Sequence, residues 1–351
     1  MRLTVLSSTP PSPVEGSGTY VAIAGLARAL RRRGHTVELR TLGRRTRFHT
    51  LDRWLYNVFV ALSPPRADLV IGVDLDGFIW ARRRRQPFVV SLKGVIADEL
   101  TNERGWVRAL LRVQARWERT NCHRADVVTV PSRYSATVAA TAYGLDARRI
   151  AVVPEPLDVA EWRRLFAAAP RRSAPSPTVL AVGRMYPRKR FSDLLTAAVT
   201  LRARIPHVQI RIVGDGPESA RLHALHARLN LGETVVFLGE VSRQTLAVEY
   251  VGAHCFCLPS VQEGFGLVFA EAMAAGLPVI GCRAAAVPEV VLDGRTGVLV
   301  PPRSPAELAA ALERLLLDEK LRKEMGGEGM RRVEAFDLDR VADELLRVVP
   351  V

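Results

Sequence analysis

Two carboxylates frame a short glycine loop in Glu263-Gly264-Phe265-Gly266-Leu267-Val268-Phe269-Ala270-Glu271. A loop carboxylate can accept hydrogen bonds from hexose hydroxyls, and one about a turn into a helix can accept both hydroxyls of a ribose. The amides of Gly264 to Leu267 can hold phosphate or sugar oxygens. The same spacing also suits an ordinary helix start whose acids complement the dipole. A second group is Gly183-Arg184-Met185-Tyr186-Pro187-Arg188-Lys189-Arg190, between a strand end and a helix. Arg184 and Lys189 can converge there on one diphosphate, helped by the helix N-terminus, and fixed cations stabilise a leaving group that gains charge. Alone, such a loop is more often a solvated turn. Gly214-Asp215-Gly216-Pro217 closes another strand, where glycine permits close approach or positive φ. Asp74-Leu75-Asp76 imitates a metal-binding acid pair, but its place at a strand end suggests an acceptor contact or plain loop acids, and no metal site is expected. Asp98 and Glu99 either line an acceptor site or begin a surface helix.

The elements that must position these residues alternate. Strands are expected at Leu3–Ser7, Thr36–Arg40, Asp68–Val73, Phe88–Ser91, Val127–Val130 and Ile150–Val153, with a helix from Gly16-Ser17-Gly18 to about Arg33. A second series runs Thr178–Val182, Gln209–Val213, Val235–Leu238, Cys255–Leu258 and Pro278–Gly281, and a helix is expected over Leu267–Ala275. Alternation of strand and helix indicates parallel sheets, and apolar runs without period-two patterning suit strands buried on both faces. Five prolines between Pro154 and Pro177 exclude one regular element there. The expectation is two doubly wound α/β domains, residues 1–160 and 172–336, with a helical tail, 337–351, packing back on the first. Ligands of such folds bind at the carboxyl ends of the strands, in the cleft between the domains.

Bulk properties fit this division. The chain has 351 residues, long for a single core, with 48% hydrophobic and 25% charged residues. No apolar run approaches the roughly 18 residues of a membrane span, and no signal peptide is legible. Cys122, Cys255, Cys257 and Cys282 read as reduced core thiols of a cytoplasmic protein. The net charge of +14 gathers in Arg31–Arg33, Arg82–Arg85 and Arg108, Arg112, Arg116 and Arg119. It implies either an anionic partner or simply arginine-rich solvated faces. No nucleic-acid motif accompanies it, so nucleic acid is not an expected partner. Residues Arg44–Leu62 mix arginines with Phe48, Trp54, Leu55, Tyr56, Phe59 and Leu62. That pattern suits either an interfacial membrane segment or an amphipathic helix packed on its domain.

Together these motifs resemble the retaining glycosyltransferases of GT-B fold, and among them family 4. The resemblance covers nearly the whole chain and is most specific at Ser260 to Val279, which looks like the family's E-x7-E signature. Pro288-Glu289 to Val300, Val182-Gly183-Arg184 with Lys189, Val213 to Glu218, Phe237 to Val241 and Gly16 to Val37 fit the family's other segments. The resemblance implies a nucleoside-diphosphate sugar (UDP or GDP) as co-substrate and transfer of a hexose with retention. No cofactor or divalent metal is expected, because the cations take its place. It assigns Glu271 to the ribose and Glu263 to the hexose. Arg184 and Lys189 fall to the diphosphate, Leu238 to Val241 to the base, and Gly16, Gly183, Gly214 and Gly216 to close approach. Catalytic roles are expected of Glu263, Lys93, Lys189 and Arg184. The acceptor is expected to be a glycan, a glycolipid or a phosphorylated small molecule, met by Asp74, Asp76, Asp98 and Glu99, with the protein cytoplasmic or peripheral on an anionic membrane.

Three positions depart from the family pattern. Lys93 stands where many relatives carry His. Pro154-Glu155-Pro156 replaces the usual Pro-Asn-Gly, and Ala285-Ala286 replaces Gly-Gly. A sugar-nucleotide 2-epimerase on the same architecture, or a membrane-associated scaffold with a vestigial donor site, are the competing readings. The four intact charges at Arg184, Lys189, Glu263 and Glu271 favour the transferase.

Overall fold

The computed structural model describes residues 1–9, 17–43, 46, 48–170 and 176–350. The first sheet holds β1 (Arg2–Ser7), β2 (Thr36–Thr41), β3 (Leu69–Val73), β4 (Phe88–Ser91), β5 (Val127–Val130) and β6 (Ile150–Val152), in the order β2-β1-β3-β4-β5-β6. The second holds β7 (Thr178–Val182), β8 (Gln209–Val213), β9 (Val235–Gly239), β10 (Cys255–Leu258), β11 (Val279–Cys282) and β12 (Gly297–Val300), in the order β12-β11-β10-β7-β8-β9. Every pairing is parallel. Helices α1 (Ser17–Arg32), α2 (His49–Leu62), α3 (Ile96–Glu99), α4 (Gly105–Arg124), α5 (Arg133–Tyr143) and α14 (Leu338–Val348) accompany the first sheet. The second has α6 (Val159–Ala168), α7 (Phe191–Arg204), α8 (Ser219–Arg228), α9 (Arg243–Gly252), α10 (Leu267–Ala274), α11 (Val287–Val290), α12 (Pro305–Leu317) and α13 (Glu319–Arg332).

β3, β7, β10 and β11 are buried at every position, as unbroken apolar runs under helices on both faces require. In each sheet the strand order reverses once. The reversal falls between β1 and β3 in the first sheet and between β7 and β10 in the second. Crevices at the carboxyl ends of such strand pairs are where open α/β sheets bind ligands.

The chain divides into Met1–Pro156 with Phe336–Val351, and Leu157–Ala335. α6 lies inside the proline-rich stretch and belongs to the second unit. Asp158 caps it by accepting from the Glu161 amide at 2.9 Å, and its prolines flank rather than interrupt it. β11 starts after Pro278, whose carbonyl accepts from the Phe256 amide at 3.0 Å but which has no amide to donate. β12 was not expected; Gly297 lets it approach β11, where a Cβ would meet the Val279 carbonyl oxygen at 1.9 Å. In the first unit α14 packs on α1, with Leu338 lying over Gly25. Arg32 and Arg33 pair with Asp339 and Asp343, so part of the basic cluster at Arg31–Arg33 serves the fold. All four cysteines are free and buried.

Candidate functional site

In the second unit the loops after β7, β8 and β9 are laid backbone to backbone. The Gly183 amide donates to Val213 at 3.0 Å, the Gly214 amide to Gly239 at 2.8 Å, and the Met185 amide to Asp215 at 2.9 Å. Gly214 has φ +122, and a Cβ there would stand 2.3 Å from the Gly183 oxygen; at Gly216 it would stand 2.7 Å from the Met185 nitrogen. The glycines are thus required by loop packing itself. Arg184 is exposed, and among the described residues its side chain makes no hydrogen bond or ion pair; its guanidinium lies 5.8 Å from the Tyr186 ring.

The loop after β10 comes to the same crevice. The Val261 amide donates to the Arg188 carbonyl at 2.9 Å, and the Ser260 hydroxyl donates to it at 3.2 Å. Lys189 closes a 3-10 turn, Pro187–Lys189, and its Nζ meets Glu263 Oε1 at 2.5 Å. Both side chains are nearly enclosed, 13% and 9% exposed. The cation expected at the diphosphate and the carboxylate expected at the hexose therefore form one pair at the switch point between β7 and β10. Gly264 and Leu267 are half-buried, and Phe265 is buried. Gly266 stands at φ +93 before α10, where a Cβ would meet Phe269 at 2.7 Å. Glu271 follows in the second turn of α10. Tyr250, on α9, donates to Glu271 Oε2 at 2.9 Å. Burial pushes the Glu271 carboxyl up to about 7, against the pull of the Tyr250 hydrogen bond and the Arg243 charge. Leu238 and Val241 are half-buried at the end of β9 and just beyond it. Ala285, in the loop after β11, has φ +50, and the Ala286 amide donates to the Glu263 carbonyl at 3.4 Å.

In the first unit the strand ends carry a buried polar network. Asp76 Oδ2 accepts from the Ser8 amide at 2.6 Å and hydroxyl at 2.9 Å, and Oδ1 accepts from Asn57 at 3.3 Å. It is fully buried, and burial lifts its pKa to about 6. Its carboxylate ties the loop after β1 to the end of β3. Asp74 accepts from the Lys93 amide at 2.8 Å and faces Arg53 at 3.5 Å, and burial raises its pKa. Lys93 Nζ pairs with Glu155 Oε2 at 3.0 Å. Asp98 takes the Tyr134 hydroxyl at 2.9 Å, and Glu99 lies against Gly94; both are half-buried on α3. Gly16, Arg44, Arg45 and Arg47 lie outside the described residues. Tyr250 went unread in the sequence, Glu155 stood out only as a departure from the family pattern and Arg53 only as one arginine of the 44–62 segment, since nothing in their spacing marks their partners until the fold brings them together.

On α2 the inward face is Asp52, Tyr56, Asn57 and Val60, while Phe48 just before it and Leu51, Trp54, Leu55, Phe59 and Leu62 are exposed. α4 lies beside it, joined by Thr50 and Arg53 to Gln114 at 2.8 and 2.9 Å, and exposes Trp106, Val107 and Val113 among Arg108, Arg112 and Arg116.

The family model for glycosyl transferases group 1 matches residues 165–332, and that for Glycosyltransferase Family 4 matches residues 16–161. The chain is 32% identical over 253 residues to a GDP-mannose-dependent alpha-(1-6)-phosphatidylinositol monomannoside mannosyltransferase of Mycolicibacterium smegmatis, covering 67% of this chain and 64% of that enzyme. It is 34% identical over 214 residues to a D-inositol 3-phosphate glycosyltransferase of Streptomyces bingchenggensis, covering 57% and 47%. The matches thus span less than two thirds of either relative. A solved sucrose-phosphate synthase from Thermosynechococcus elongatus shares the fold, with a TM-score of 0.82 and 22% identity over 99% of this chain and 97% of that one. The two parallel six-stranded sheets are those of the GT-B architecture.

Proposed function

From the premise that this chain belongs to the group 1 glycosyltransferases of family 4, we propose that it moves a hexose from a UDP- or GDP-sugar to an acceptor hydroxyl, with retention and without a metal. The observation that carries this reading is the Lys189–Glu263 pair at the β7/β10 switch point, beside the exposed cation of Arg184. As the bond from the sugar's anomeric carbon to the diphosphate breaks, negative charge grows on the departing group. Lys189, held in place by Glu263, and the exposed cation of Arg184 stabilise that charge. Lys189 then exchanges part of its interaction with Glu263 for the diphosphate, and Glu263 is freed to accept from hexose hydroxyls. Glu271 accepts from the ribose. The acceptor hydroxyl attacks from the face the diphosphate leaves, and its proton departs with that group.

The acceptor reading is an anionic, phosphoinositol-type or lipid-linked alcohol. Its support is the basic, apolar face of α2 and α4, together with relatives whose names specify phosphatidylinositol monomannoside and inositol 3-phosphate. The protein then works at the cytoplasmic face of an anionic membrane. In titrations of UDP- and GDP-sugars, Glu271→Ala and Lys189→Ala should each lower donor affinity or turnover at least about tenfold, roughly 1.4 kcal/mol. Wild-type binding and turnover in both variants would remove the assignment, as would release of nucleoside diphosphate that does not depend on acceptor.

A further inference from the structure

Glu271 is built into the structure from a side the sequence did not disclose. Its Oε2 takes the Tyr250 hydroxyl at 2.9 Å, whereas the other acceptor near that hydroxyl, the Val268 carbonyl, lies at the limit of 3.5 Å. Tyr250 is fully buried, and three rings hold it: Trp162 edge-on at 5.6 Å, Phe166 edge-on at 6.1 Å, and Phe256 at 6.1 Å. A phenol so enclosed keeps one ring position and turns only its hydroxyl. Burial and the neighbouring carboxylate push its own pKa well up, so it remains a donor. Among the described residues Glu271 Oε1 accepts no hydrogen bond.

We propose that Tyr250 is a positioning residue for the nucleoside end of the donor site, fixing one oxygen of Glu271 so that the other faces the ribose hydroxyls. The proposal rests on the reading that Glu271 holds the ribose. A carboxylate with free rotation loses entropy when two hydroxyls seize it, and anchoring one oxygen in advance removes part of that cost.

The arrangement carries a pH signature. Two ribose hydroxyls donate well only to an ionised carboxylate. Burial raises the Glu271 pKa to about 7, so nucleotide affinity is full above that pH and falls as pH drops through it. Tyr250 and Arg243 are the groups that act against this shift, both from α9, and the Arg243 guanidinium rests 4.7 Å over the Trp162 ring. The remaining neighbours meet the region with uncharged groups: Trp162 and Phe166 of α6, Phe256 of β10, Gly281 of β11 against Phe269, and Gly329 of α13 against Met273. Without the phenol hydroxyl the carboxyl gains a proton more readily, and the affinity midpoint moves to higher pH.

Calorimetric titration of wild type, Tyr250→Phe and Glu271→Gln tests this, using UDP, GDP and inorganic pyrophosphate between about pH 5.5 and about pH 8.5. Tyr250→Phe should weaken nucleotide binding about tenfold at neutral pH and raise the midpoint, while pyrophosphate, which has no ribose, binds as in wild type. In wild type, a 2′-deoxynucleotide should lose most of the pH dependence below about 7. The proposal is overturned if Tyr250→Phe keeps wild-type affinity and pH profile, if it weakens pyrophosphate equally, or if the 2′-deoxynucleotide keeps the full pH dependence. Wild-type nucleotide affinity in Glu271→Gln would instead remove the underlying reading of Glu271, whatever Tyr250→Phe does.

Discussion

Lys93 and Glu155 each depart from the pattern of the family, and in the structure they touch. Nζ and Oε2 are 3.0 Å apart, and the side chains are 12% and 7% exposed. The two positions singled out by the resemblance are thus one enclosed ion pair. A buried pair is poor evidence of net stability, but removing one partner leaves an uncompensated charge. Lys93→Met should destabilise the protein by about 3–5 kcal/mol in urea unfolding, and Lys93→His with Glu155→Asn together should cost less than the sum of the two single changes. Burial raises the Glu155 pKa and Lys93 lowers it. Losing Lys93 therefore lifts it further above the unfolded value. The folded protein then binds a proton that the unfolded chain releases, so the loss in Lys93→Met is smallest at acid pH and grows as pH rises. Additive single variants, or a loss that does not change with pH, would contradict the pairing.

Among the elements, the strands were legible because buried parallel strands are short apolar runs bounded by glycine and proline. β4, β5, β7, β8 and β10 fall at the expected residues. The candidate site residues Arg184, Lys189, Glu263 and Glu271 stood out for a related reason: they lie just past strand ends or at a helix start, where local sequence sets the turn. Tyr250, Glu155 and the α6 helix were not, since their roles depend on partners 21, 62 and more residues away, as in Tyr250–Glu271 and Lys93–Glu155. The loop after β11 shows a physical cost that the sequence only hinted at. Ala285 stands at φ +50, a region that favours glycine and costs an alanine roughly 1 kcal/mol. Ala285→Gly relieves that strain but loosens the unfolded chain by part of the same amount. The expected net gain is up to about 0.5 kcal/mol, read as a slightly higher Tm. A clear loss of stability in Ala285→Gly would mean that the alanine methyl group makes packing contacts worth more than the strain.

For the molecule as a whole, the net charge of +14 and the outward apolar side chains decide what surface it can meet. α2 was read as either interfacial or packed, and it is packed by a mixed face: Tyr56 and Val60 enter the core, Asn57 bonds Asp76 and Gly77, and Arg53 reaches Ser8, Gln114 and Asp74. Periodicity alone could not tell which face turned inward, because the inward face joins Tyr56 and Val60 to the polar pair Asp52 and Asn57. That leaves Phe59 at 59%, Leu62 at 81% and Trp106 at 76% exposure, with arginines beside them. Among the described residues no helix is long and apolar enough to cross a membrane. An apolar stripe with flanking arginines instead enters the headgroup region, each arginine near an anionic surface adding on the order of 1 kcal/mol. The protein should therefore float with phosphatidylglycerol vesicles at low salt, weakly with phosphatidylcholine, and release as salt rises. Trp54→Asp with Phe59→Asp should cut vesicle binding at least about tenfold while leaving the unfolding midpoint near wild type, since both side chains already face water. Equal binding to charged and neutral vesicles, no binding to either, or undiminished binding by the double variant would remove the membrane from the acceptor side of the proposed reaction.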